Sequence, residues 1–383
     1  MVNNLPLHKK RQNYFQQIAG LVPVKNLQLV VLTHLVFDRP ELLAALSQIA
    51  PISLVIAIPY SLEQNAYNQL ATEYKIITPT LEELSDSKYL IEKVLQSINK
   101  QKPLIILEIG GYFAHALPSL HEKLGSNFIG VIEDTETGHR RYEALASFPC
   151  PVISVARSPL KRSEDFLIGD ACLFSTERLI RKTGYLIDCK NTLVLGFGKI
   201  GIGMAHVLAN KHCHVVVYDK DPIKRTTAIS EGFFVPNKTE ALQHADMIFG
   251  ATGYQSIAGE DFAHIKSGTI LISCSSKDVE FDLQYLEKHY KREDIFPNYT
   301  KYTKYNQHLY VLANGRPVNF LDGSPLGPVL ALVQSEIILA IRDMLLLSAK
   351  KQYGMFELGL EDRKMLAAMW LEHFCDPNTG YYS

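Results

Sequence analysis

Between residue 11 and about residue 160, short apolar runs alternate with segments whose apolar residues recur at helical spacing. The runs predict strands at 27–32, 52–58, 104–107, 128–132 and 152–155. The segments between them predict helices near 39–49, 63–73, 81–98, 113–124 and 138–146. A second series starts at Thr192, with strands at 192–195, 215–218, 247–251, 269–273 and 309–313. Strands alternating with helices imply parallel sheets covered on both faces. The pattern therefore predicts an α/β protein of two doubly wound units with parallel sheets. The expected division is 1–170 for the first unit and 171–326 for the second. A long helix at about 327–349 returns the chain, so that 327–383 completes the first unit.

The most informative stretch is 192–219. Thr192-Leu193-Val194-Leu195 runs into Gly196-Phe197-Gly198-Lys199-Ile200-Gly201, which opens a helix-compatible segment reaching about Lys211. The apolar run 215–218 follows, and Asp219 closes it. In such a turn Gly196 permits the tight bend, Gly198 lets a pyrophosphate approach the backbone, and Gly201 lets helix and strand pack closely. The helix N-terminus offers N–H groups and a positive dipole end to the phosphates. Asp219 stands where a ribose-binding acid is expected, which favours NAD over NADP. Glycines also collect in ordinary turns, but here the strand, the helix and the acid are all in place, so both units are read as Rossmann-like and the second as the NAD-binding one. Lys220, Lys224 and Arg225 could in principle hold a 2′-phosphate; a solvated helix start accounts for them better.

Ligands of open parallel sheets sit beyond the carboxyl ends of the strands. In the first unit those positions carry His34 and Asp38, then Glu108-Ile109-Gly110-Gly111, then Glu133-Asp134-Thr135-Glu136-Thr137-Gly138, which predicts a pocket at one sheet edge.

Composition narrows the function classes. At 383 residues, 47% hydrophobic and 21% charged, the chain reads as a soluble globular protein too long for one ordinary core. A formal net charge of -1 gives no electrostatic footprint for nucleic acid or an acidic membrane surface. The apolar stretch 329–347 is interrupted by Gln334, Glu336, Arg342 and Asp343, so it reads as a buried helix and not a membrane span. Six scattered cysteines without a CxxC fit reduced thiols and a cytoplasmic location. His212-Cys213-His214 reads as neighbours on a strand, whose side chains point to opposite faces and cannot converge on a metal.

The Gly-Gly turn at 110–111, the run 133–138, the segment 161–169, the turn 196–203, Asp278-Val279-Glu280 and Gly315-Arg316-Pro317-Val318-Asn319 together resemble S-adenosylhomocysteine hydrolase in order and approximate spacing. The resemblance spans nearly the whole chain. It implies tightly bound NAD that oxidises a ribose 3′-hydroxyl, followed by thiol elimination, water addition and reduction, on a small nucleoside-like substrate. Position by position, it implies that His34 lies near the 5′ carbon, that Asp38 reads the adenine amino group, and that Lys161 and Asp165 flank the 3′-hydroxyl. It makes Asp134 a shortened form of a substrate-binding glutamate, Thr135 and Thr137 NAD contacts, and Asn319 a neighbour of the nicotinamide carboxamide. Plainer readings exist: His34 and Asp38 as a helix entry with a capping acid, Lys161 and Asp165 as a solvated i,i+4 pair, and the threonines as helix caps.

The departures from that family matter as much. Ile109 replaces a catalytic aspartate, Ser276 replaces a histidine, and Gly323-Ser324-Pro325-Leu326-Gly327-Pro328 replaces a histidine-containing motif. Asp170 stands where a cysteine is common. The tail 376–383 lacks the lysine that reaches the NAD of a neighbouring subunit, although Tyr381 or Tyr382 could substitute, so the resemblance leaves a homo-oligomer open. Isoleucine exchanges no proton, which puts elimination and hydration in doubt while leaving NAD binding intact. The sequence thus supports an NAD-dependent enzyme with altered substrate or chemistry, or a catalytically impaired NAD-binding module.

Overall fold

The computed structural model describes residues 5–23, 26–275 and 279–375. In chain order the strands are β1 (Gln28–Leu35), β2 (Ile52–Leu62), β3 (Ile76–Ile77), β4 (Leu104–Glu108), β5 (Phe128–Glu133), β6 (Pro151–Ser154), β7 (Asn191–Leu195), β8 (His214–Tyr218), β9 (Met247–Gly250), β10 (Ile270–Ser273), β11 (Lys291–Phe296), β12 (Tyr299–Lys304), β13 (Gln307–Leu312) and β14 (Gly354–Phe356). The chain divides into two compact units, one of Met1–Lys161 with Gly327–Ser383 and one of Arg162–Leu326. The helix Arg162–Ile180 belongs to the second unit, so the division falls ahead of it and not at 170.

In the first unit the sheet order is β14-β6-β5-β4-β1-β2-β3, with every pairing parallel. From β1 the chain builds outward through β2 and β3, then restarts at β4 on the other side of β1. The switch point therefore lies between the carboxyl ends of β1 and β4. Burial on both faces explains strands such as Leu104-Ile105-Ile106-Leu107, which are apolar at every position. The helix Val329–Ala349 packs on β5 and β6 and is buried along most of its length, including Gln334, Ser335 and Glu336.

The expected helix at 81–98 is two helices, Leu81–Ser85 and Ser87–Ser97. Thr80 and Glu83 form a capping box on the first, and the Asp86 carboxylate caps the second through the Lys88 amide at 2.8 Å. A side chain that bonds the backbone locally thus ends one helix and starts the next.

In the second unit the order is β11-β12-β13-β10-β9-β7-β8. Here β7 to β10 and β13 pair in parallel, but β11/β12 and β12/β13 are antiparallel, so this sheet is mixed where a parallel one was expected. The switch point lies between the carboxyl ends of β7 and β9. Two apolar clusters cover its faces, one around Phe197, Met204 and Phe249, the other around Leu193, Ile248 and Phe262. His212 and Cys213 precede β8, and His212 has a φ of 57°, so the three neighbours are not all on a strand as supposed. Among the described residues no group of three His, Cys, Asp or Glu side chains is placed to hold a metal. Among them too, no helix is long and apolar enough to cross a membrane.

Candidate functional site

In the second unit the glycine turn leaves β7 at the switch point. Gly196 has a φ of 96°, and a Cβ there would stand 2.8 Å from the Ala251 carbonyl oxygen at the end of β9. A Cβ at Gly201 would overlap the Gly196 carbonyl oxygen, so turn and helix approach as closely as two backbones can. The helix Lys199–Ala209 begins at Gly198 without a side-chain cap. A Cβ on Gly198 would meet only the Lys224 Nζ at 3.8 Å, which leaves a cradle over the first turn, whose amides lack intrahelical acceptors.

Asp219 follows β8 and is buried. Its Oδ2 accepts the Phe197 amide at 2.7 Å and its Oδ1 the Asp221 amide at 2.9 Å, so the carboxylate fastens the glycine turn. A carboxylate has about four lone-pair directions, and capacity for a ribose hydroxyl remains. Lys224 Nζ lies 3.6 Å from Asp219 Oδ2, so this cation is paired with the acid.

Asn319 is 5% exposed. Its Nδ2 donates to Ser324 Oγ at 2.9 Å, while its Oδ1 is shut off from solvent without a partner. An orphaned buried acceptor costs about 1–3 kcal/mol, and a carboxamide N–H would satisfy it. Glu280, also buried, accepts the amides of Thr252 and Gly253, each at 2.7 Å, and the hydroxyl of Ser275, tying the loop after β9 to the segment after β10. Asp165 lies on the helix Arg162–Ile180, and its Oδ2 is 3.8 Å from Lys199 Nζ. Open cradle, ribose acid and orphaned amide oxygen together fit a bound NAD.

In the first unit His34 lies on β1 near its carboxyl end, with Nδ1 2.5 Å from Ser61 Oγ. Burial, with the positive charges of Arg39 and Lys161, lowers its pKa to about 3, so the imidazole is neutral at physiological pH. Lys161 ends the turn Pro159–Lys161 and donates to the Asp134 carboxylate at 2.6 Å and the Asp134 carbonyl at 2.8 Å. Asp38 occupies the N-cap position of the helix Arg39–Ile49 but makes no cap bond. It is fully buried, and its Oδ2 accepts Gln334 Nε2 at 3.1 Å and lies 3.6 Å from Arg39 Nη1. The structure thus gathers His34, Lys161 and Asp134 electrostatically, with Asp38 entering from the end of the β1 connection.

The turn after β4 has a different use from the pocket expected of it. Glu108 and Glu133 are adjacent across β4 and β5 and both buried. Glu133 accepts the amides of Gly110, Gly111 and Thr135, and Glu108 accepts those of Tyr112 and Phe113 and the Tyr142 hydroxyl. Burial raises both pKa values, and the charge of Glu108 raises that of Glu133 further. These carboxylates rigidify the turn. Ile109 between them is 9% exposed and packs in the apolar core.

Thr135 caps the helix Glu136–Glu143. Its hydroxyl donates to Glu133 at 2.6 Å and accepts the amides of Gly110 at 2.8 Å and Gly138 at 3.0 Å. One donor and two acceptor positions are all a hydroxyl has, so none is left for a cofactor, and the capping reading describes Thr135. Thr137 is half-buried in the first turn of that helix. Ser276, Asp278, Tyr381 and Tyr382 lie outside the described residues. Gln334, Ser61 and Lys199 were not anticipated. The one available signal was the pair of polar positions, Gln334 and Glu336, in an otherwise apolar helix.

The second unit is thus a dinucleotide-binding α/β unit of the Rossmann type. The family described as S-adenosyl-L-homocysteine hydrolase, NAD binding domain, matches residues 172–324. An adenosylhomocysteinase from Pyrococcus abyssi is 30% identical over 79% of this chain and 73% of its own length. One from Thermotoga maritima is 32% identical over 60% of this chain, and an S-inosyl-L-homocysteine hydrolase from Methanopyrus kandleri is 30% identical over 61%. The chain spans 59% and 57% of those last two proteins. The protein belongs to the S-adenosylhomocysteine hydrolase family, and NAD is its cofactor.

Proposed function

We propose that the protein is an NAD-dependent enzyme of a nucleoside or nucleoside-like thioether that retains sugar oxidation and has lost most elimination and hydration activity. Bound NAD would supply a hydride acceptor. The observation that carries the reading is the contrast between the Lys161 cation, fixed 2.6 Å from Asp134, and Ile109, an apolar core residue where the family resemblance places an acid/base group. Lys161 would favour a developing alkoxide at a sugar hydroxyl. Asp165 is the candidate to take the hydroxyl proton, and neutral His34 offers a hydrogen bond without charge. Asn319 and Asp219 would orient the carboxamide and the adenosine ribose of the cofactor, with Gly196, Gly198 and Gly201 at its phosphates and Thr137 as a further contact. Six cysteines, all free, suit the cytoplasmic location proposed with this reading.

The test is the near-ultraviolet absorbance of reduced nicotinamide after adding adenosine or S-adenosylhomocysteine to the purified protein. NADH formation supports the reading. A nucleoside that binds and never yields NADH overturns it in favour of a non-catalytic NAD-bound binding module, the reading that Ile109 also favours.

A further inference from the structure

The glycine turn of the second unit stands between two fixed backbone posts whose side chains meet. β7 lies between β8 and β9, so the turn at 196–198 leaves the sheet with the end of β8 on one side and the loop after β9 on the other. On the β8 side Asp219 is bonded to the turn through the Phe197 amide at 2.7 Å, and the exposed Lys220 follows it. On the β9 side a Cβ at Gly196 would stand 2.8 Å from the Ala251 carbonyl oxygen and 3.0 Å from Thr252 Cγ2, so that loop lies directly against the turn. The loop is itself anchored. The Thr252 and Gly253 amides and the Thr252 hydroxyl donate to the buried Glu280, and the Tyr254 amide donates to Thr252 Oγ1 at 3.0 Å. The Tyr254 side chain, by contrast, is 52% exposed.

Lys220 Nζ lies 5.4 Å from the centroid of the Tyr254 ring, a cation–π contact. Neighbouring strands stand about 4.8 Å apart, so β8 and β9 are separated by about 10 Å, and the contact joins the two sides of that gap beyond the end of β7. A dinucleotide at the glycine turn has to enter the space outside the carboxyl end of β7. Stiff posts carry a soft contact: side chains at exposed positions rotate in nanoseconds or less, so the bridge opens without any movement of the sheet.

We propose that Lys220 and Tyr254 form a gate across the glycine turn that sets how fast the dinucleotide enters and leaves. This rests on the glycine turn as the dinucleotide site. A contact made alike in the empty and the loaded protein favours neither state and leaves affinity unchanged, while slowing passage in both directions. A residue that simply touches the cofactor does the reverse, changing affinity mainly through release.

The test follows NADH fluorescence in a stopped-flow instrument, with the full-length protein at an ionic strength that screens long-range attraction. Mixing NADH with nucleotide-free protein gives the entry rate, and chasing bound NADH with excess NAD gives the release rate. Tyr254→Ala and Lys220→Met should each raise both rates roughly 2- to 5-fold, the factor set by one exposed cation–π contact, with the dissociation constant unchanged. Tyr254→Phe keeps the ring and should keep both rates. The two substitutions together should act no more strongly than either alone, because they remove one contact. An unchanged dissociation constant also reports an intact site. Unaltered rates in the single variants, additive effects in the double variant, or faster release with unchanged entry each overturn the gate. An unaltered protein that takes up no NADH overturns the dinucleotide site itself, and this inference with it.

Discussion

The Lys161 ammonium lies 2.6 Å from the Asp134 carboxylate and 2.8 Å from the carbonyl of the same residue. Two of its three protons thus point at one neighbour, which suits a fixed cation better than a base. Asp134 is one methylene shorter than the glutamate implied by the resemblance, and it is occupied with Lys161. Replacing it by asparagine keeps the shape and removes the charge partner. With side-chain exposures of 10% for Lys161 and 20% for Asp134, the pair is shielded but not fully desolvated. Asp134→Asn should lower the unfolding free energy by about 1–3 kcal/mol, below the cost of breaking a fully buried pair. Denaturant midpoints with unchanged slope would measure it; a loss under a few tenths would show that solvent already screens the pair.

Asp219 holds the Phe197 amide of the glycine turn and is the acid proposed to accept a ribose hydroxyl of the cofactor. Asp219→Ala should therefore weaken NAD by more than a ribose contact alone, at least about 1.5–3 kcal/mol for a charged hydrogen bond. It should also reduce the preference for NAD over NADP, because Lys224 would lose the carboxylate it faces at 3.6 Å and become available to a 2′-phosphate. Calorimetric titration with both dinucleotides checks this. NADP binding more tightly than NAD to the unaltered protein would reverse the assignment.

The glycine turn was legible in the sequence because its chemistry is local: strand, turn, helix and acid lie within 192–219, Gly196 and Gly201 answer close backbone approaches, and Gly198 leaves the space above the first helical turn open. The two doubly wound units were legible from alternation for the same reason, whereas strand order and the switch points became visible only in the structure. The antiparallel edge strand β11 was not legible, since Lys291-Arg292-Glu293-Asp294 carries no apolar signal and an edge strand needs none. Thr135 illustrates a deeper limit. Its type and position suit either a cap or a cofactor contact, and only the placement of Glu133 and Gly110 shows that its hydroxyl has no capacity left. Gln334 was visible as a polar residue in an apolar helix, but its partner Asp38 is remote in sequence, and no local pattern joins them.

His34 supplies a pH dependence whose sign follows from burial. Its folded pKa is depressed to about 3 from the usual 6.5, so below 6.5 the unfolded chain takes up a proton that the folded protein refuses. The stabilisation is complete above about pH 6.5 and is lost as pH falls toward 3. His34→Gln, which retains a hydrogen-bonding group for Ser61 without titrating, should flatten this part of the stability profile by on the order of 2–4 kcal/mol between pH 7 and pH 4. Urea unfolding at several pH values reads it out. Parallel profiles for the two proteins would mean that His34 titrates normally.

Chemistry should stop part-way. A positioned acid/base group contributes about 10²–10⁴-fold in rate, and the position where the resemblance implies one is filled by Ile109, packed in the core. Thiol release from S-adenosylhomocysteine should therefore fall orders of magnitude below about 1 per second, a rate within the normal range for enzymes. Oxidation makes smaller demands: a hydride acceptor, a cation beside the oxyanion and a group that takes one proton. Lys161 is the proposed candidate for the second of these and Asp165 for the third. NADH should accordingly accumulate with a bound nucleoside while free thiol does not, a split that neither a fully active hydrolase nor an inert binding module would give. Lys161→Ala should slow NADH formation by about 10²-fold or more if the cation stabilises the alkoxide. NADH formed at an unchanged rate in Lys161→Ala would leave the redox reading standing and remove Lys161 from it. Thiol release at about 1 per second or faster would show that the core isoleucine is no obstacle and that another residue exchanges the proton.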